Sequence, residues 1–528
     1  MDETESFAVA GLAAPHPLAA AAGREILIEG GNLIEAAIAA AAVSAVVVPD
    51  RNGLGGDALW LIREPGPRGR TRVLDGRGVV GVAARLSYYR QRDLESVPLH
   101  GADAVLVAPA AVAAWVEARA LSESMGGRLP LARLLAPAIK AARDGWSVTA
   151  RDIAALAAAA STLSAAQGFG ATFLVEGEIP KPDTLRRNPA LGATLDYLAT
   201  KSLDDFYRGD VGRELAADLE ALPTPLARDD LRGTEARWRE PHLLDLGRHS
   251  LAVPPTRSGL WAAVTLGLYA GLGEFGLAAA SQDGFERWHG LISSLRAADT
   301  MLDEADAAGA EVDELLDVAR LGSASRKLDR ERATRAEPEE KPLLDEAAVW
   351  IGVADHDGAA VSLVQTLGSA FGSGVVSRRT GVLMGNRGAA LAVDPDLGPV
   401  LRPGRRPPLR SLPAIFAAPK EKRVATFGAE GRQAVPLVSD LASRLIRGAS
   451  LGDIGEAPRI GLGATPEGRD VAVLVEDERQ PGAASRLRSA GHVLVQADGT
   501  VLRRAGLVLR DEAGRLAAAS DEGAVAGL

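Results

Sequence analysis

Cysteine is absent from this chain, which removes disulfides, thiolate catalysis and cysteine-ligated metal together. The absence leaves the compartment open, because a secreted protein can also do without cysteine. No basic stripe runs through the sequence; the net charge is −10 and both signs are interspersed, so a phosphate backbone has nothing to bind and nucleic acid is excluded as a partner. No apolar run reaches the roughly 20 residues of a membrane helix, and stretches such as 37–49 read as buried helix. The first residues, Met1 to Glu5, carry acid where a secretory signal carries positive charge, which predicts a cytoplasmic protein without membrane attachment.

What is present is apolar residue in quantity. At 528 residues with 47 % hydrophobic composition, the chain exceeds one ordinary single-core domain and can bury a large core. His16-Pro17 precedes a predicted helix over 18–29, Gly30-Gly31 stops it, and Asn32 is placed to cap the next. That next helix, 33–46, is almost wholly Ala, Ile and Val, and a helix apolar on every side is expected to be buried on every side. The run Arg51-Asn52-Gly53-Leu54-Gly55-Gly56-Asp57 leads into a strand over 58–63. Its glycines permit close approach to a ligand or to another part of the chain, and no helix follows that would make it a phosphate cradle. Residues 73–78 form a strand ending at Arg77, and 109–160 is helical and alanine-rich.

The stretch 346–375 reads as a β-hairpin. Val349, Ile351 and Val353 alternate with Trp350, Gly352 and Ala354, Asp355-His356-Asp357-Gly358 turns the chain, and 359–366 returns. The charged segment 330–340 before it reads as a solvated linker, where a processing cut could fall. The seven histidines are scattered, and the closest pair, His242 and His249, lacks the spacing of ligands on one helix face. Each is expected to stand alone in the core or on the surface, with no metal and no cofactor.

In order along the chain stand PHPLAAAAGREILIEGGNLIEAAIAAA, NGLGGDALWL, VLDGRG, LRRNPALGATLDYLA, DDFYRGDVGREL, VPPTRSGLWAA, VADHDGAAVSLVQTLGSAFGSGVV, GRRPPLRSLPAIF, EAPRIGLG and a terminal ASDEGAVAGL. Together they resemble the γ-glutamyltranspeptidase family of N-terminal-nucleophile hydrolases, over nearly the whole chain. The resemblance implies an α+β fold, a four-layer αββα sandwich made as one precursor that cuts itself before a threonine. The freed threonine then serves as nucleophile, with its own α-amine, of pKa near 8, as base and with donors aimed at the oxyanion.

On that resemblance the nucleophile position falls on Ala348, and a methyl group cannot attack a carbonyl. No serine, threonine or cysteine lies between Arg335 and Val361 to replace it. Other positions depart with it. The paired hydroxyls of the family read Arg410-Ser411, the glycine pair of the oxyanion loop is reduced to the surroundings of Gly431, and the asparagine of the returning strand is Gly368. Arg77 does match the arginine that grips a substrate carboxylate. A single engineered Thr→Ala change would have spared the other positions, so the pattern reads as natural divergence.

Two functional readings follow. In the first, the chain is an uncut, catalytically degenerate member that binds a small carboxylate- or amide-bearing ligand, or pairs with itself or with an active paralogue. In the second, it is an amidohydrolase or γ-glutamyl transferase of altered mechanism, in which Asp355, His356, Asp357 or Thr366 activates water or attacks. The linker divides a large-chain-like region, 1–340, from a small-chain-like region, 341–528, and the two are expected to interleave in one sandwich.

Overall fold

The computed structural model describes residues 3–281, 283–333, 344–465, 471–476, 481–497 and 499–528. The expected linker, 330–340, lies mostly outside these residues, as does the boundary at 340/341.

Alternation in the hairpin decides the architecture. The strands Ala347–Asp355 and Ala360–Gly368 pair antiparallel, extending the predicted hairpin by two residues on each strand at its open end. Val349, Ile351 and Val353 point into a core shared with helices, while Ala348, Trp350 and Ala354 point into a second core between two sheets. Successive side chains of a strand face opposite ways, so burying both sets requires a layer on each side.

The hairpin is the centre of a seven-stranded antiparallel sheet in the order Ala524–Gly527, Ala10–Ala14, Ala347–Asp355, Ala360–Gly368, Asp57–Arg63, Thr71–Gly76, Arg237–Arg239. A second seven-stranded sheet faces it, in the order Glu3–Phe7, Leu516–Ser520, Ala505–Arg510, Arg423–Ala429, Leu412–Ala418, Ser250–Val253, His242–Asp245. Between them lie Leu59, Leu61, Val364, Ile415, Val424 and Val508. Helices including Leu33–Val47 cover the first sheet, and helices including Arg257–Ala270, Phe285–Ala308 and Ala434–Ile446 cover the second. The expected αββα sandwich is the observed one.

Local signals carried their elements. All fifteen residues of Leu33–Val47 are buried, and Asn32 caps the helix by accepting from the Ile34 and Glu35 main-chain N–H groups while Glu35 caps in return. Trp350 spans the space between the sheets because glycines leave room for it. A Cβ at Gly428 or Gly506, both on the facing sheet, would lie 2.3 Å from its ring atoms. Its indole N–H donates to Ser362 Oγ at 2.9 Å, and that hydroxyl donates to the Phe427 carbonyl.

The histidines depart from expectation. His289 Nδ1 and His492 Nε2 stand 2.9 Å apart in the interior, and His289 Nε2 meets the Asp329 carbonyl oxygen, also at 2.9 Å. The pair joins residues 203 apart in sequence, which spacing within one element does not reveal. Among the described residues, no helix is long and apolar enough to cross a membrane.

Candidate active site

The open end of the central hairpin gathers most of the residues singled out in the sequence. Ala348 opposes Thr366 across the pairing, and the register slips between Ala347 and Ala348, so the peptide at the would-be cut sits in a β-bulge. Thr366 Oγ1 donates to the Ala347 carbonyl oxygen at 2.6 Å and accepts from the Gly368 N–H at 2.9 Å. The carbonyl that a nucleophile at position 348 would attack therefore carries a hydroxyl donor. Ala348 itself is fully buried, in the same inter-sheet core as Trp350 and Leu409.

Glu346 fixes the chain on the other side of the bulge. Its buried carboxylate accepts from the main-chain N–H groups of Arg410 at 3.0 Å and Ser411 at 2.8 Å. Ser411 Oγ accepts from the Gly431 N–H at 2.9 Å. Gly431 has φ +69°, and a Cβ there would lie 2.8 Å from the Glu346 carbonyl oxygen, so glycine is needed at this approach. The structure thus brings Arg410, Ser411 and Gly431 to Glu346, two residues before Ala348. Arg410 and Ser411 act on Glu346 through the main chain, where the sequence had pointed to their side chains.

Gly368 also meets its glycine requirement through geometry. Its φ is +105°, and a Cβ would lie 2.3 Å from Asn386 Oδ1. Asn386 is committed: Oδ1 accepts from the Ser369 N–H, and Nδ2 donates to the Leu99 carbonyl and to Ser369 Oγ. The glycine-rich run serves close packing as well, since a Cβ at Gly56 would lie 2.0 Å from the Thr366 carbonyl oxygen and one at Gly55 2.2 Å from that of Leu383.

Arg77 follows the strand Thr71–Gly76 at this same end of the sheet, but its guanidinium is engaged by Asp75 through Nε at 2.9 Å and Nη2 at 2.8 Å. Burial pushes the Asp75 carboxyl up, and the hydrogen bond and charge of Arg77 outweigh it, holding that carboxyl below its usual range. The neighbouring Gly78 N–H donates to Asp57, whose other oxygen is bound by Arg387. Asp355, His356 and Asp357 lie at the far end of the strand, eight residues from Ala347 and so roughly 25 Å away. Asp355 accepts from the main-chain N–H groups of Asp357 and Ala359, the ordinary work of a turn aspartate. This separation removes all three from the cleft in which the second functional reading had placed them.

Sequence reasoning missed Glu346, Glu430 and Arg51. Glu430 Oε1 accepts from the Trp350 N–H at 3.1 Å, and its Oε2 pairs with Arg51 at 3.1 Å. Burial pushes the Glu430 carboxyl up, with the Arg51 charge opposing. The only signals were a glutamate immediately before the strand and an acid within Gly428-Ala429-Glu430-Gly431.

The two facing sheets, the helical layers outside them and the strand that opens at position 347 define an N-terminal-nucleophile hydrolase scaffold. The family profile described as Gamma-glutamyltranspeptidase matches residues 19–526, and the chain belongs to this family. It is 36 % identical to the oxamate amidohydrolase proenzyme of Klebsiella pneumoniae, over 97 % of each chain. It is 28 % identical to the glutathione hydrolase-like YwrD proenzyme of Bacillus subtilis, again over 97 % of each. The crystal structure of cephalosporin acylase from Bacillus halodurans superimposes with a TM-score of 0.86 at 26 % identity, over all of this chain and 97 % of that one.

Proposed function

We propose that this chain is an uncut member of the γ-glutamyltranspeptidase family that has given up threonine-nucleophile hydrolysis and is kept for binding a small carboxylate- or amide-bearing ligand. The observation that carries the reading is Ala348: a buried methyl stands where the family resemblance puts the nucleophile, and the hydroxyls of Thr366 and Ser411 are already engaged. Thr366 Oγ1 is held by Ala347 and Gly368, and Ser411 Oγ by Gly431. Without a nucleophile the peptide before position 348 stays whole, and no free α-amine appears to act as base.

The ligand class follows from the cradle. Two successive main-chain N–H groups, from Arg410 and Ser411, hold the carboxylate of Glu346, and an external carboxylate of similar size suits the same donors once Glu346 swings away. Oxamate, the substrate named for the Klebsiella relative, is a natural probe. On a denaturing gel the purified protein is expected as one band of 54.7 kDa, silent toward γ-glutamyl anilides and oxamate. Two bands summing to that mass would sink the proposal. Oxamate is expected to bind Glu346→Ala more tightly than the parent in calorimetry, and equal or weaker binding would remove the cradle from the argument.

A second reading, hydrolysis by Thr366 itself, is favoured by its hydroxyl at the bulge and by the named activities of the relatives. Oxamate turnover that vanishes in Thr366→Ala would select it.

A further inference from the structure

Away from the hairpin, three buried donors without partners meet in one small cavity. Trp146 and Arg186 are directly opposed on a two-stranded ribbon, Trp146–Ser147 with Leu185–Arg186. Asn52 comes from the glycine-rich run after helix Leu33–Val47. All three residues line one cavity with about 20 Å³ of room for a water-sized body, enough for one water-sized or halide-sized occupant. Relative exposures are 0 % for Asn52, 4 % for Trp146 and 6 % for Arg186.

Asn52 Nδ2, Trp146 Nε1 and Arg186 Nη2 have no hydrogen-bond partner among the described residues. The Asn52 amide is oriented by its own Oδ1, which accepts from the Gly53 N–H at 2.8 Å, so Nδ2 is the atom left over. Arg186 makes no ion pair among the described residues. Its guanidinium carbon lies 5.6 Å from the Phe173 ring centroid and 5.9 Å from that of Trp146. Asp50 and Asp152 act on it only at a distance and do not line the cavity. Asp50 pairs with Arg151, and Asp152 accepts from Thr149. The other walls are largely apolar, including Val46, Leu54, Phe173, Leu191 and Leu383.

A buried charge is stable only when paired. We infer that the cavity is a binding site for a single halide ion, chloride under ordinary conditions, held by the Arg186 guanidinium, the Trp146 indole N–H and the Asn52 amide. A halide accepts from all three donors and neutralises Arg186, whereas a water does the first in part and the second not at all. The site also ties the ribbon to Asn52, next to Arg51, whose guanidinium holds Glu430 against Trp350.

The test uses the full chain. Thermal unfolding is followed in sodium chloride, sodium bromide and sodium gluconate at one ionic strength, and crystals are grown in bromide for anomalous scattering. Expected are a saturable rise of about 1–3 °C in Tm with either halide over gluconate, and an anomalous peak in contact with Arg186, Trp146 and Asn52. Arg186→Met is expected to lose the halide-specific rise. If that variant does not fold, Trp146→Phe, which removes one donor and keeps the bulk, is expected to raise the halide concentration at half-effect several-fold. Identical melting in all three salts, or no anomalous signal in the cavity, overturns the inference.

Discussion

Thr366 is the residue that ties the two strands of the hairpin together at its open end through a side chain. Its hydroxyl serves the Ala347 carbonyl and the Gly368 N–H at once, beside the register shift between Ala347 and Ala348. Thr366→Val keeps the shape and removes both of these hydrogen bonds, so a loss of about 1–3 kcal/mol is expected in urea unfolding. The same hydrogen bond bears on processing. Ala348→Thr is expected to restore cutting between residues 347 and 348, read as two fragments on a gel, because the carbonyl to be attacked still carries its donor. Adding Thr366→Val to that variant is expected to slow the cut at least tenfold, whereas Thr366→Ser should spare it. An uncut Ala348→Thr protein would mean that the surroundings have been rebuilt beyond a single substitution. That an alanine stands at position 348 was legible in the sequence because a residue type is a chemical fact. Glu346, Glu430 and Arg51 were not, since each acts through partners 64 to 379 positions away.

At the scale of elements, the hairpin and the helix Leu33–Val47 could be read because period and capping are local. The slot that holds Trp350 could not, since Gly428 and Gly506 come from other strands of the facing sheet. Gly506→Ala puts a methyl on the indole and is expected to cost about 1–3 kcal/mol through overpacking. The histidine pair is another meeting of distant elements, helix Phe285–Ala308 with the segment after helix Pro481–Ser489. Burial, with the charges of Arg296 and His289 adding to it, holds the His492 imidazole down to about 3, and burial lowers His289 as well. Asp329, at the end of the chain before the expected linker, works in the opposite sense on His289. In the unfolded chain both imidazoles titrate near 6.5. Between that value and the folded one the unfolded state binds more protons, so stability is whole above about pH 6.5 and declines as the pH falls toward 3. His492→Gln, which keeps a hydrogen-bonding group and cannot titrate, is expected to shrink the fall in Tm between pH 7 and pH 5 by about 2 °C or more. Parallel profiles for parent and variant would dismiss the pair as a source of acid sensitivity.

For the whole molecule, strand order carries the argument. In the hairpin sheet, the strands Ala347–Asp355 and Ala360–Gly368 are flanked by Ala10–Ala14 on one side and Asp57–Arg63 on the other. In the facing sheet, Leu412–Ala418 pairs with Ser250–Val253, and Leu516–Ser520 with Glu3–Phe7. Neither hydropathy nor spacing predicts such crossings, and only the collinear family motifs made them legible beforehand. A fragment spanning 341–528 therefore exposes both edges of a long apolar hairpin, together with the faces that Leu33–Val47 and its neighbours would cover. Unpaired edges and bare apolar faces of this kind aggregate. Expressed alone, 341–528 is expected to be insoluble or to give a collapsed, poorly dispersed amide NMR spectrum. Expressed together with 1–340, it should return to solution as a complex of the two pieces. A well-dispersed spectrum from 341–528 alone would show that the small region holds a core of its own, and that the sandwich is two folding units pressed together.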